Sequence, residues 1–262
     1  MKSLFGMFAA RARGAGDILK QLGLTKGLKL CLDAGDAGSY TSGRTWKDRS
    51  GGGCDFGLGK GPGAGPGDPK FSGGPGKLSK DQYFAFDGEA LFTLPANAPW
   101  MQNLHKAGAK LTLMAWLLPR LDKTGAAICG TKGTGPAAGF RWGWSEQGAQ
   151  QVHVGNGKGN TVLAGPTLAD GAWQFAAISI DEAVGANGAV LALNGAQTRA
   201  KSTYDAPVAG PAVAKFQIGA SASTAFLRPN SRLAMFIAHE GVALKPKQLD
   251  AFFGATRARF GI

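Results

Sequence analysis

The chain has 262 residues, with 29 Lys and Arg against 17 Asp and Glu, a formal net charge of +12. Charged residues make up only 18 % and hydrophobic residues 44 %, which excludes a disordered chain and leaves enough apolar material for a full core. The 42 glycines follow no period of three, which excludes a collagen-like fibre and marks turns between many short strands.

Residues 1–26 differ from the rest. Leu4, Phe5, Phe8, Ile18, Leu19, Leu22 and Leu24 are interspersed with Lys2, Arg11, Arg13, Lys20 and Lys26, and only Asp17 opposes these charges. The stretch predicts a weakly amphipathic, partly helical arm, broken at Gly14 and Gly16. It reads either as a docking arm ordered by a partner or as a helix packed across the flank of its own domain. Arg11 and Arg13 interrupt the apolar start, so a secretory leader is not expected. No stretch is long enough to span a bilayer.

From Leu28 the pattern changes to short strands, the first being 28–33. Residues 50–77 read as one long Gly/Pro-rich loop. A phosphate loop is excluded there, because Gly76-Lys77 is followed by Leu78 and Gly59-Lys60 by Gly61, where Ser or Thr is needed. Strands follow at 83–88 and 90–95, then a short helix over 99–108 ending at Gly108. Residues 110–119 are apolar on both faces and predict a central, doubly buried strand. A strand at 126–130 precedes a hairpin of 138–144 with 150–157, and another strand covers 161–165. Strands at 172–182 and 184–195 enclose Asn187-Gly188, a tight-turn signal. Strands at 214–221 and 231–242 complete the set, and 244–260 has helical spacing with Leu249, Phe252 and Phe253 on one side.

Many short strands, with helices only at the ends and in one insertion, predict an all-β fold: a two-sheet antiparallel jelly-roll sandwich over 27–262 with a short N-terminal helical arm (1–26) and a C-terminal helix. The three cysteines, Cys31, Cys54 and Cys129, have no CxxC spacing, which argues against a disulfide framework and a zinc site. Cys31 and Cys129 read as small core residues, and reduced thiols point to assembly in a cytoplasm.

Several segments have a more specific look. The stretch with Trp173, Asp181, Asn194 and Gly195 resembles a signature of laminin-G-like domains of the concanavalin A-type superfamily. Trp116 and Pro119, Ile218 and Gly219, and Leu244 and Leu249 resemble later strands and the closing helix of that family. Leu32, Asp33, Asp36, Tyr40, Trp46, Asp48, Ser50 and Gly51, with Phe86, Asp87 and Gly88, resemble the bacteriophage and prophage members. The resemblance spans about 28–253. It implies Trp46, Trp116 and Trp173 in the core.

Sites are sparse. A glycosidase needs two carboxylates facing across the scissile bond. Asp87/Glu89, Asp181/Glu182 and the isolated Glu240 do not form that pattern, and the first two pairs read as turn residues. His105, His153 and His239 are far apart with no nucleophile motif, so no catalytic residue is assigned and the chain is not expected to be an enzyme. No metal or other cofactor is assigned. The nearest approach to a calcium site is Asp33, Asp36 and Asp48, which read as turn and cap residues. Trp142 and Trp144 alternate with Arg141, so they face opposite ways, with the tryptophans directed to the core. Arg141, His153, Asn156 and Lys158, on and beside the hairpin, are the candidate ligand-binding residues.

The resemblance implies a virion structural protein of a phage or prophage, of decoration, spike or tail-fibre type. It would display the domain for host attachment, through contact with the host surface or its polysaccharide. The arm would bind other virion proteins, with many copies in a particle, no specific nucleic acid and no membrane span. Residence would be the virion, after synthesis in the bacterial cytoplasm. The alternatives are a free bacterial carbohydrate-binding module or lectin and, third, a divergent glycoside hydrolase.

Overall fold

The computed structural model describes residues 13–262. Helix α1 (Ala15–Gln21) leads into β1 (Leu28–Asp33), β2 (Thr45–Trp46), β3 (Phe56–Leu58), β4 (Lys70–Ser72), β5 (Tyr83–Ala85) and β6 (Phe92–Thr93). A 3-10 turn, Pro99–Gln102, precedes β7 (Lys110–Leu118), β8 (Ala126–Gly130), β9 (Gly139–Trp144), β10 (Ala149–Gly155), β11 (Asn160–Thr167) and β12 (Gln174–Asp181). After a second 3-10 turn, Glu182–Val184, come β13 (Ala189–Leu193), β14 (Ala196–Ala200), β15 (Gln217–Ile218), β16 (Ala220–Ser221), β17 (Ala225–Phe226), β18 (Arg232–Glu240) and helix α2 (Pro246–Phe260).

The strands form two large antiparallel sheets, and β16 and β17 make a small two-stranded one. The first runs β14-β13-β12-β7-β18-β5-β4, with β1 paired to the far half of the β18 edge that β5 occupies. The second runs β11-β10-β9-β8-β15-β6-β3-β2. Their inner faces meet in the main core. Leu111, Leu113, Ile178, Leu191 and Phe236 come from one side, and Trp46, Phe92, Phe140, Trp142 and Val152 from the other. The two-sheet sandwich is therefore present as the strand pattern predicts.

The first sheet is buried on its outer face as well. Met114, Trp116, Phe175, Ala192, Met235 and Ile237 point away from the main core and form a second one with both helices. This explains why β7 carries no polar alternation. Burial on both faces removes the reason for a polar side. Helix α2 covers this face through Leu249, Phe252 and Phe260, with Trp116 stacked on Phe260 at a centroid distance of 4.0 Å. Pro246 opens the helix, Gln248 accepts the Lys245 N–H, and Gly261 closes it in the left-handed region. Trp116 Nε1 donates to Thr256 Oγ1, which in turn donates to the Phe252 carbonyl.

Helix α1 lies on the same face. Ala15, Ile18, Leu19 and Leu24 are buried against it. Of the two readings of the N-terminal stretch, packing on the domain's own flank holds for residues 15–24. The part of the expected arm formed by residues 1–12 lies outside the described residues.

Four expectations need correction. The 50–77 loop contains β3 and β4, three-residue strands that are too short to leave a periodic trace. The helix expected over 99–108 is a single 3-10 turn followed by further turns. It carries Trp100, Met101 and Leu104 into the core. Asn187-Gly188 ends a longer connection and is not itself a two-residue turn. The tight turn is Asn194-Gly195, where both residues have positive φ and Leu193 pairs with Ala196. Trp173 is only partly buried, packed on Tyr83 and Phe260 at the rim of the second core.

Candidate functional site

The acids come first, because they decide between chemistry and binding. Asp33 is fully buried. Its carboxylate accepts two hydrogen bonds from Arg259 Nη1, at 2.8 and 3.0 Å, plus the Ala15 and Gly35 amides. It thereby joins β1 to the start of α1 and the end of α2. Asp48 accepts from the amides of Cys31, Ser50 and Cys54 and from the Ser50 hydroxyl. Asp36 accepts from the Gly38 amide and faces Arg49. The acceptor capacity of the three is spent on amides and cations, and no group of three metal-ligating side chains occurs among the described residues. Turn and cap duty is what the structure gives them.

Four further acids, those nearest to a catalytic pattern in the sequence, are likewise engaged. Asp87 Oδ1 accepts the Glu89 and Ala90 amides. Asp181 pairs with Lys110 at 2.7 Å. Glu182 accepts the amides of Gly108 and Tyr204, and Glu240 faces Asn103 and Lys29. His105 and His239 are fully buried, and each has Nε2 on a carbonyl, of Gly210 and Leu24 respectively. Burial pushes both imidazoles below their ordinary range.

The outer face of the second sheet is different. Trp142 and Trp144 point into the core, as their alternation with Arg141 requires. Arg141 therefore points out, directly opposite His153 on β10, which is itself opposite Val162 on β11. The row Arg141–His153–Val162 crosses three strands, and Val162 is 46 % exposed. Gln151 lies two residues along on the same face and hydrogen-bonds the His153 ring at 2.9 Å.

A loop over residues 131–138 lies on one end of this face. Its position needs two glycines. A Cβ on Gly155 would stand 2.0 Å from the Ala137 carbonyl oxygen, and one on Gly139, at φ +147°, 2.7 Å from that of Thr131. The Gly157 amide holds the loop down by donating to Pro136 O. The loop brings in Lys132, buried although charged, with its ammonium donating to the Gly133 and Gly135 carbonyls. The Lys132 stem lies over Gly155, two residues from His153.

Three basic groups are thus gathered with no acid among them. Neither Lys132 nor Arg141 belongs to any salt bridge among the described residues. Burial lowers the Arg141 guanidinium and the Lys132 ammonium from their ordinary values. His153 is pushed down to about 4, first by burial and then by the charges of Arg141 and Lys132. At neutral pH it is a neutral ring in a positive field.

Of the four residues singled out in the sequence, Arg141 and His153 meet here. Asn156 and Lys158 do not join them. Asn156 is consumed by the β10–β11 turn, with Oδ1 accepting the amides of Lys158 and Gly159 and Nδ2 donating to Asp205 O. Lys158 is exposed at the tip of that turn. Sequence reasoning missed Lys132 and Gln151. Gln151 was visible in principle, two residues from His153 on the same strand face. Lys132 was not, because a loop carries it.

Two kinds of comparison bear on the fold. No curated protein matches the sequence. Among solved structures, Trypanosoma rangeli sialidase in complex with sialic acid gives a TM-score of 0.56 at 13 % identity, over 90 % of this chain and 34 % of that one. Domain 4 of AbnA, an extracellular arabinanase from Geobacillus stearothermophilus in complex with arabinotriose, gives 0.56 at 17 %, over 86 % and 97 %. The binding domain of botulinum neurotoxin DC in complex with SialylT gives 0.59 at 10 %, over 88 % and 52 %. The chain spans about a third of the sialidase's length. At such identities the likeness is one of fold. Residues 88–231 match a family model, Laminin_G_3, and the chain belongs to the concanavalin A-like lectin/glucanases superfamily.

Proposed function

We propose that this domain is a non-catalytic carbohydrate-binding module that contacts glycans through the outer face of its second sheet. The observation that carries the reading is Arg141. Its guanidinium is partly buried and has no hydrogen-bond or salt-bridge partner among the described residues, beside His153 and the buried Lys132. Such a group is costly to the fold unless something else uses it. The fold family and the sugar complexes named for its structural neighbours supply the ligand class. Binding is favoured over hydrolysis because Asp87, Asp181, Glu182 and Glu240 all serve amides or cations. A glycan array probed with the full chain tests this. Specific binding that Arg141→Gln removes supports it, and an array without signal refutes it.

The carrier we propose is a phage or prophage virion, in which many copies present the domain to the host surface. The motivation is the sequence pattern of residues 32–51 and 86–88, which resembles that of bacteriophage and prophage laminin-G-like domains. Mass spectrometry of purified virions, with the chain found at stoichiometric copy number, would agree with this. Its absence from every particle of the producing strain would remove the proposal.

A further inference from the structure

We infer that the ligand of the second sheet's outer face is an acidic sugar, held by its carboxylate on Arg141, with His153 beside it and Lys132 behind. The inference rests on the carbohydrate reading above and adds the class of sugar.

The argument begins with what the face lacks. Neutral sugars are held by stacking on an exposed aromatic plane. The tryptophans of this sheet, Trp46, Trp142 and Trp144, are turned into the core, and the row that Trp142 leaves outside is Arg141, His153 and Val162. Four hollows among the described residues lie away from this face, beside α1, at the Asn103–Leu111 turns and around Asp87. A face without an aromatic plane must hold its ligand by charge and hydrogen bonds.

What it has is positive charge in a partly dry setting. Lys132 is 3 % exposed, so it acts through its field and not by contact. Its ammonium is pinned by two carbonyls at a fixed place over Gly155. Among the described residues nothing takes up the Arg141 donor fork. A guanidinium offers parallel N–H groups that match a carboxylate, and such charge-assisted pairs are about twice as strong as neutral hydrogen bonds. The charged groups acting on His153 are Arg141 and Lys132, both cationic. A carboxylate placed on Arg141 would offset that field, and His153 would then take up a proton more readily than at its unliganded value of about 4. Affinity should therefore rise as the pH falls from 7 to 5.

The experiment uses the full chain on an array of matched pairs, each acidic glycan beside its neutral counterpart (sialylated and desialylated, uronic acid and methyl ester), with sulfated glycans and single-stranded polyadenylate alongside. Binding confined to the acidic members is expected. It should fall at least tenfold in Arg141→Gln and persist in the double variant Lys247→Gln/Arg257→Gln, which removes more charge from exposed positions of α2. A chemical-shift titration of His153 in the complex should give a midpoint above that of the free protein. Equal binding of acidic and neutral members would overturn the acidic class and leave the carbohydrate reading standing. Binding to no glycan would defeat both. Equal losses in the α2 variant would show generic polyelectrolyte attraction and overturn the site. Preference for sulfated members would overturn the carboxylate assignment. Arg141-dependent preference for single-stranded polyadenylate would overturn the sugar.

Discussion

Asp33 shows how one side chain joins three elements. It takes the Arg259 guanidinium, the first amide of α1 and its own turn, all without solvent contact. Removing it strands a nearly buried guanidinium and leaves the start of α1 without an acceptor. Asp33→Ala is expected to cost about 3–5 kcal/mol, read from urea denaturation, since breaking a buried pair leaves a charge unpaired. Arg141→Gln should behave in the opposite way, with unfolding stability unchanged or raised, because it removes a partly buried cation that no described residue partners. A clear loss of stability in that variant would mean that Arg141 serves the fold. These two residues also mark the limits of sequence reading. Strand alternation placed Trp142 and Trp144 inside and Arg141 outside, because period-two geometry is local. It could not tell that Asn156 is used up by its own turn while no described residue engages Arg141, because that depends on which groups the turn and the 131–138 loop bring close.

At the scale of elements, long and strongly patterned strands were legible and short or polar ones were not. β7 and β18 carry nine residues each and run through both cores, so their patterns are plain. β14 reads Ala-Gln-Thr-Arg-Ala, an edge strand with no apolar face, and only the Asn194-Gly195 turn before it could have announced it. Helix α1 is the most instructive element. Alone, seven residues make a marginal helix. The outer face of the first sheet gives it somewhere to pack, and Leu19 becomes fully buried there. Leu19→Ala should cost about 2–5 kcal/mol in the same unfolding assay. Deleting residues 1–26 should expose Met235 and Ile237 and cause aggregation or a lowered Tm. If the shortened domain melts like the full chain, α1 contributes no packing to it.

For the whole molecule, charge and pH act together. The net charge of +12 creates a positive field. Acidic-glycan binding should therefore weaken between 0.05 and 0.5 M salt, on the order of the screening expected as the Debye length shrinks from about 14 to 4 Å. His105, His153 and His239 all bind protons less readily in the fold than their ordinary value of 6.5. The unfolded chain then takes up more protons than the folded one below that value. Stability should be full above pH 6.5 and fall as the pH drops toward about 4, where His153 titrates in the fold. Thermal melts from pH 7.5 to 4 measure this, and His153→Gln should flatten part of the decline.

The central claim, that glycan is met on the outer face of the second sheet, is tested most directly by amide and side-chain chemical-shift mapping of the full chain titrated with an array-selected glycan. The account predicts perturbations centred on Lys132, Arg141, Gln151, His153 and Val162, a patch that crosses β9, β10 and β11 under the 131–138 loop. Perturbations centred instead on the Asp33–Asp48 turns, or on the Tyr83–Trp173–Phe260 cluster at the end of α2, would contradict it.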